Sequence, residues 1–119
     1  MNMHTQSTRL SVMQLALRDK GALYAAYIPW FADGGIFIST TREFRLGDDA
    51  YVLLTLPGDP QRYPIAGTVG WITPAGAGGT SVQGVGVRFS ADAHGVQVKT
   101  KIEQMLGAAL GSDRPTLTL

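Results

Sequence analysis

Residues 27–40 read YIPWFADGGIFIST, a stretch that combines a proline, two adjacent aromatics, paired glycines and an apolar strand. A strand that arrives from the N-terminal side must end before Pro29, because proline has no N–H to donate to a sheet. Trp30 and Phe31 therefore lie in a turn, which closes at paired glycines before the short apolar strand at residues 36–39. Large apolar side chains in a turn indicate a surface that binds a partner.

Apolar and polar residues alternate over the first three quarters of the chain, with turn-forming residues roughly every 8–12 positions. This pattern is typical of an antiparallel barrel or sandwich. The predicted strands are residues 9–17, 22–28, 36–39, 51–56, 62–73 and 84–89. The first two are expected to form a hairpin around a turn at residues 19–21, and the strand at residues 51–56 is expected to be central.

The parity of two strands predicts which side chains face the core. Ile65, Val69 and Trp71 share one parity, which favours a core position for Trp71. In the last strand the residues expected to face inward are Val85, Val87 and Phe89, and those expected to face outward are Gly84, Gly86 and Arg88.

A helix follows the last strand. Ser90 or Asp92 is a suitable N-cap, and the next apolar residues recur at helical spacing. The members of this apolar face are Val98, Ile102, Met105, Leu106 and Ala109. The sequence predicts one domain at residues 9–110, with a barrel at residues 9–90 and a helix at residues 92–110. Residues 1–8 and 111–119 are expected to be flexible ends.

Composition limits the class of function. The 119 residues are 45% hydrophobic, which is enough for one core, and the absence of cysteine excludes disulfides and thiolate metal sites. A net charge of +1 creates no electrostatic field that would attract nucleic acid or anionic lipid. No signal peptide is visible and no stretch approaches the ~20 apolar residues of a membrane span, so a cytoplasmic location is expected.

Residues that carry chemistry are sparse. The two histidines, His4 and His94, have no carboxylate at ligand spacing, and the adjacent carboxylates Asp48 and Asp49 point to opposite sides of an extended chain. No nucleophile elbow, phosphate-binding loop or dinucleotide fingerprint is present. We therefore predict no enzyme activity, no catalytic residue, no metal and no cofactor.

Two sets of residues are candidates for binding. Arg42 and Arg45 lie three positions apart and are suited to a phosphate diester, although Glu43 lies between them. Trp30 and Phe31 are adjacent, so an extended backbone cannot direct both inward. The predicted protein-binding residues are Tyr24, Tyr27, Trp30, Phe31 and Trp71 for one partner, and Leu110, Leu117 and Leu119 in the C-terminal segment for another.

The motif at residues 84–89, GVGVRF, and the earlier GIFI at residues 35–38 resemble a PilZ domain, a six-stranded barrel with a C-terminal helix. The resemblance covers about residues 11–110. Within the family, the proline, aromatic, Gly-Gly and apolar-strand passage is similar to that of the short, stand-alone PilZ proteins of type IV pilus assembly.

The resemblance implies a test for cyclic di-GMP, which PilZ domains bind through Arg-x-x-x-Arg and Asp/Asn-x-Ser-x-x-Gly motifs. With Gly35 as the final glycine, Ala32 replaces the serine and Trp30 replaces the Asp or Asn. Arg9 is followed four residues later by Met13, so the arginine pair is also absent; Arg18, followed likewise by Ala22, does not restore it. Each lost charge-assisted hydrogen bond costs about 1.5–3 kcal/mol, so no direct binding is predicted.

The pilus-type PilZ proteins are linked to the assembly ATPase PilB and to FimX-like proteins with degenerate GGDEF and EAL domains. The resemblance therefore implies an adaptor in pilus biogenesis and twitching motility that binds both. Two alternatives remain. One is a cyclic di-GMP receptor of unusual geometry that uses Arg42 and Arg45, and the other is a small barrel that stacks nucleic-acid bases on its aromatics but lacks a basic groove.

Overall fold

The computed structural model describes residues 12–78 and 81–118. Its strands are β1 (Met13–Ala16), β2 (Gly35–Ser39), β3 (Asp49–Thr55), β4 (Arg62–Thr73) and β5 (Gly84–Arg88), and its helices are α1 (Lys20–Ala26) and α2 (Ala93–Leu106), followed by a 3-10 segment, Gly107–Gly111. The five strands form one curled sheet in the order β1-β3-β4-β5-β2. The fold is therefore a mainly β half-barrel with a C-terminal helix, and the prediction of six strands in a full barrel was wrong.

The predicted strand at residues 22–28 is largely the helix α1. Asp19 is its N-cap, because a side-chain oxygen of Asp19 accepts a hydrogen bond from the backbone N–H of Ala22 at 2.8 Å. Leu23 and Ala26, three positions apart, are the buried residues of this helix. The capping aspartate and the alanine-rich composition favour a helix, so interpreting residues 19–21 as a hairpin turn was wrong.

The helix also changes the first strand pairing. Because α1 follows β1, β1 does not fold back as a hairpin but pairs in parallel with β3, in the register Met13↔Val52 to Ala16↔Thr55. The remaining pairs of the sheet are antiparallel. The strands predicted from residue 36 onward are confirmed within two residues, and β3 is an interior strand as expected. Of the predicted first strand, residues 9–11 lie outside the described residues.

A bulge in β4 reverses the expected position of Trp71. Val69 pairs with Val87, but the next pair along the ladder is Trp71 with Gly86, so Gly70 is the extra residue. Val69 faces the main core, whereas Trp71 packs against a second apolar cluster. The prediction that Trp71 shares a face with Val69 was wrong, because one extra residue moves every later side chain to the opposite face.

The second cluster covers the outer face of β5. It consists of Ile28, Phe31 and Phe37 with Trp71, Val82 and Leu117 packed against it. A Cβ atom on Gly86 would meet Ile28 Cδ1 at 2.7 Å and Trp71 Cβ at 2.9 Å, so only glycine fits there. Gly84 and Gly86 thus face away from the main core, as predicted, but they are buried, and only Arg88 of that parity is exposed.

The main core lies between the sheet and α2. Asp92 caps α2 by accepting from the N–H of Gly95 at 3.0 Å, and the buried helix residues include Val98, Ile102 and Leu106, as predicted. The α-helix ends at Leu106 and the chain continues as the 3-10 segment, so the predicted end near residue 110 corresponds to the end of both segments together. A hydrogen bond from the hydroxyl of Tyr27, at the end of α1, to Glu103 places the C-terminal part of α2 beside α1.

Residues 112–118 lie against α1. The N–H of Leu117 donates to the carbonyl of Ala25 at 2.9 Å, and the Leu117 side chain is half-buried against both clusters. This placement differs from the flexible tail expected from composition, because Leu117 finds apolar neighbours that the sequence does not reveal. Leu119 and the predicted flexible residues 1–8 lie outside the described residues.

Candidate functional site

A small cavity of about 180 Å³ brings several predicted binding residues together. It lies between α1, the end of α2 and residues 112–116. Its lining includes Tyr24, Tyr27, Trp30, Leu110 and Arg114. The sequence assigned the first three and Leu110 to two separate partners, and the structure places all four around one hollow.

Trp30 is the exposed centre of this region. Its side chain is 44% exposed, and its ring centroid lies 4.7 Å from that of Phe31 and 5.4 Å from that of Trp71, both in edge-on geometry. The prediction that at least one of the adjacent aromatics lies at the surface is confirmed, since Trp30 is exposed while Phe31 is 5% exposed. Trp30 therefore joins the cavity to the second apolar cluster.

The buried Phe31 ring packs against Trp30. Gly35 makes this position possible, because a Cβ atom there would overlap the Phe31 ring and the carbonyl oxygen of Val87. Gly34 precedes it with a φ of 75°, a backbone conformation that glycine adopts without strain. The paired glycines thus turn the chain and admit the aromatic ring against the start of β2.

Tyr27 is a second support rather than an exposed anchor. It is 1% exposed, and its hydroxyl donates to a carboxylate oxygen of Glu103 in α2 at 2.6 Å. Burial, together with this hydrogen bond and the negative charge of Glu103, raises the pKa of Tyr27 well above its ordinary value. The tyrosine therefore stays neutral and ties the wall of the cavity to α2.

Tyr24 holds the C-terminal segment at the cavity. Its hydroxyl lies 3.2 Å from the carbonyl oxygen of Ser112 and 2.7 Å from that of Arg114. The Arg114 guanidinium carbon lies 4.7 Å from the centroid of the Tyr24 ring, a cation–π distance. Residues 112–114 thus form one wall of the cavity.

We call this region the aromatic surface, and it comprises Tyr24, Tyr27, Trp30, Phe31, Trp71 and Leu110. Leu110 is 37% exposed and Trp71 is half-buried, with its indole N–H donating to Thr73 Oγ1 at 2.8 Å. Leu117 lies beneath the surface in contact with the second cluster. The exposed Trp30 ring and the partly exposed Tyr24 and Trp71 rings, on a firmly packed base, are suited to binding an apolar partner.

The family model for the PilZ domain matches residues 8–108. The chain belongs to the PilZ domain family. PilZ domains are generally adaptor and binding domains without enzyme activity, and they mediate protein–protein interactions in cyclic di-GMP signalling. This PilZ domain is therefore a cyclic di-GMP-related adaptor or receptor. A comparison with curated proteins finds no match to the chain.

The positions of the cyclic di-GMP motif are now part of the aromatic surface or adjoin it. Trp30, in place of Asp or Asn, is the exposed centre of the surface, and Ala32, in place of serine, is exposed beside it. Gly35 remains and begins β2. Of the positions tested for the arginine pair, Met13 is buried in β1 and Arg9 lies outside the described residues.

The other candidate cations lie elsewhere. Arg42 and Arg45 line a separate, wider cavity of about 570 Å³ with Thr73 and Gln83, at the opposite end of β2 from Gly35. The Arg42 guanidinium stacks over the Phe44 ring at 5.2 Å. Glu43 and Asp48 also line this cavity, so its charge is mixed.

Within residues 12–78 and 81–118, no helix is long and apolar enough to cross a membrane. The same ranges contain no group of three metal-ligating side chains placed to hold an ion. Sequence reasoning missed Arg114 and Pro29 as lining residues of the cavity and Arg88 as a neighbour of Phe31. Asp19 is a sequence signal for the start of α1, and α1 carries Tyr24.

Proposed function

We propose that this PilZ-domain protein is a cytoplasmic adaptor in type IV pilus biogenesis and twitching motility. It binds the PilB-like assembly ATPase and a FimX-like protein with degenerate GGDEF and EAL domains, and it does not itself bind cyclic di-GMP. The observation that carries the proposal is the exposed Trp30, which stands where ligand-binding relatives have a polar contact and forms the centre of an aromatic surface.

The chemistry of that surface supports protein binding over dinucleotide binding. A large aromatic ring at the Asp or Asn position removes a hydrogen-bond acceptor, and an alanine at the serine position removes another polar contact. In their place the surface offers rings held at fixed angles by Phe31 and Trp71. Rigid aromatic anchors of this kind carry much of the binding free energy at protein interfaces.

The test measures binding of the purified protein to the purified pilus ATPase and to the purified FimX-like protein encoded in the same genome. Trp30→Ala is compared with Val96→Ala, a matched removal of an exposed apolar side chain, 53% exposed, on α2. We expect Trp30→Ala to weaken at least one complex about tenfold or more, which is about 1.4 kcal/mol, while Val96→Ala changes neither. Unchanged binding of both partners by Trp30→Ala contradicts the proposal.

A second candidate function is direct binding of cyclic di-GMP at the cavity lined by Arg42 and Arg45. The favouring observation is that two guanidinium groups, one of them stacked on Phe44, line a hollow of about 570 Å³. Calorimetric titration with cyclic di-GMP separates the two proposals. A micromolar dissociation constant that is lost in Arg42→Ala and Arg45→Ala favours the receptor, and no measurable heat favours the adaptor.

A further inference from the structure

The aromatic surface has an arginine at each end, and each guanidinium carbon lies within cation–π distance of one of its rings. Arg88, at the end of β5, has its guanidinium carbon 5.2 Å from the centroid of the Phe31 ring. Arg114 is placed in the same way over Tyr24, at 4.7 Å. The two cations thus lie on either side of the rings that surround Trp30.

Stacking leaves the hydrogen-bonding capacity of these arginines unused. A cation–π contact does not use the five N–H donors of a guanidinium, so these donors can still form hydrogen bonds. Arg88 and Arg114 are both exposed, and among the described residues no carboxylate pairs with either guanidinium. Each therefore has N–H donors available to pair with a carboxylate of a bound partner.

Contacts connect the two ends. On one side Arg88 reaches the Phe31 ring, which touches Trp30, and Trp30 touches Trp71. On the other side Trp30 lines the cavity with Tyr24 and Arg114. The order across the surface is cation, aromatic rings, cation.

The carboxylates near this surface do not cancel the pattern. Glu103 is engaged by the hydroxyl of Tyr27 at 2.6 Å. Asp33 and Asp113 adjoin the surface in sequence, and Asp49 lines a cavity together with Arg88, so the surface has no net positive charge. The positions of the two guanidinium groups over the Phe31 and Tyr24 rings, rather than the net charge, favour carboxylates at both ends of a bound segment.

We infer that the aromatic surface binds a partner segment whose apolar side chains are flanked on both sides by Asp or Glu. The inference rests on the proposed function, because it names the chemistry of the partner at that same surface. Apolar groups of the segment contact Trp30 and enter the adjoining cavity, and the flanking carboxylates pair with Arg88 and Arg114. Such pairs increase specificity and the association rate, and salt weakens them.

The test uses three synthetic peptides with one shared core of leucine and phenylalanine and with flanks of Glu, Gln or Lys. Binding to the full chain is followed by NMR through the indole N–H signals of Trp30 and Trp71, at low and high salt. We expect the Glu peptide to bind about tenfold more tightly than the Gln peptide at low salt, with the difference reduced at high salt. The Lys peptide is expected to be the weakest.

Arg88→Glu and Arg114→Glu are the test variants, and Arg45→Glu, in the separate cavity, is the control for a change in total charge. We expect each test variant to remove the preference for the Glu peptide and the control to retain it. Equal binding of the three peptides, no binding of any, or an equal loss in Arg45→Glu overturns the inference. The proposed function is overturned by a different result, namely unchanged binding of both pilus partners by Trp30→Ala.

Discussion

The ring of Trp30 lies 5.4 Å from the ring of Trp71, with the two planes at 68°, although the residues come from separate parts of the chain. The contact exists because the bulge at Gly70 turns Trp71 away from the main core and towards the loop that carries Trp30. Without that extra residue, Trp71 would continue the inward parity of Val69. The central pair of the aromatic surface is therefore a product of strand register.

The two tryptophans are expected to contribute differently to stability. Trp71 is half-buried against the second cluster, whereas Trp30 is 44% exposed, so Trp71→Ala removes more packing. We expect Trp71→Ala to lower the free energy of unfolding by about 2 kcal/mol and Trp30→Ala by less than about 1 kcal/mol. Urea unfolding monitored by circular dichroism measures both, and equal losses would contradict this assignment of burial.

Gly86 is expected to tolerate no side chain. A Cβ atom there would meet Ile28 Cδ1 at 2.7 Å and Trp71 Cβ at 2.9 Å, and the second contact is to an atom fixed close to the backbone. Gly86→Ala should therefore lower the free energy of unfolding by about 1–3 kcal/mol. Gly111→Ala is the matched control, because nothing lies within 4 Å of its added Cβ, and a similar loss in the control would show that packing at Gly86 is not the cause.

Tyr24→Phe is expected to loosen the C-terminal segment. The change removes a hydroxyl that lies 3.2 Å from the carbonyl of Ser112 and 2.7 Å from that of Arg114, while the ring beneath Arg114 remains. The loss should be about 0.5–1.5 kcal/mol and should appear as faster amide hydrogen exchange at Leu117, whose N–H bonds to Ala25. Tyr51→Phe in β3 serves as control, and unchanged exchange at Leu117 in Tyr24→Phe would contradict the prediction.

The N-cap of α2 predicts that the stability of the fold depends on pH. Hydrogen bonds from the Gly95 N–H and then from the Ser90 hydroxyl lower the pKa of Asp92 below its ordinary value of 3.8. Because the folded-state pKa is lowered, the carboxylate stabilises the fold fully above that ordinary value, and this stabilisation is lost as pH falls through the folded pKa.

Asp92→Asn keeps a capping oxygen but cannot titrate. The free energy of unfolding of this variant should therefore fall less steeply below about pH 3.8 than that of the unchanged protein. Asp59, whose pKa is also lowered, titrates in both proteins and cancels in the comparison. Chemical unfolding at a series of acidic pH values measures the difference, and parallel curves would refute the role of the Asp92 charge.

Short-range patterns predicted much of the fold and one part of the candidate site. Alternation located β2, β3, β4 and β5 within two residues, and helical spacing located the buried face of α2. The adjacency of Trp30 and Phe31 predicted that one of them is exposed. The same patterns failed at α1, because a seven-residue helix has too few turns to establish a period, and its Asp19 cap and alanine content are the signals that distinguish it from a strand.

The mainly β class, most strand boundaries and the position of the aromatic turn could be predicted from the sequence, because these depend on neighbours within a few residues. The parallel pairing of β1 with β3, the contact of Trp71 with Trp30, and the shared cavity of Tyr24, Leu110 and Arg114 became evident only in the folded molecule. These relationships depend on the bulge at Gly70 and on the helix α1, which follows β1. Contacts between residues distant in the chain are established only when the whole sheet selects its register.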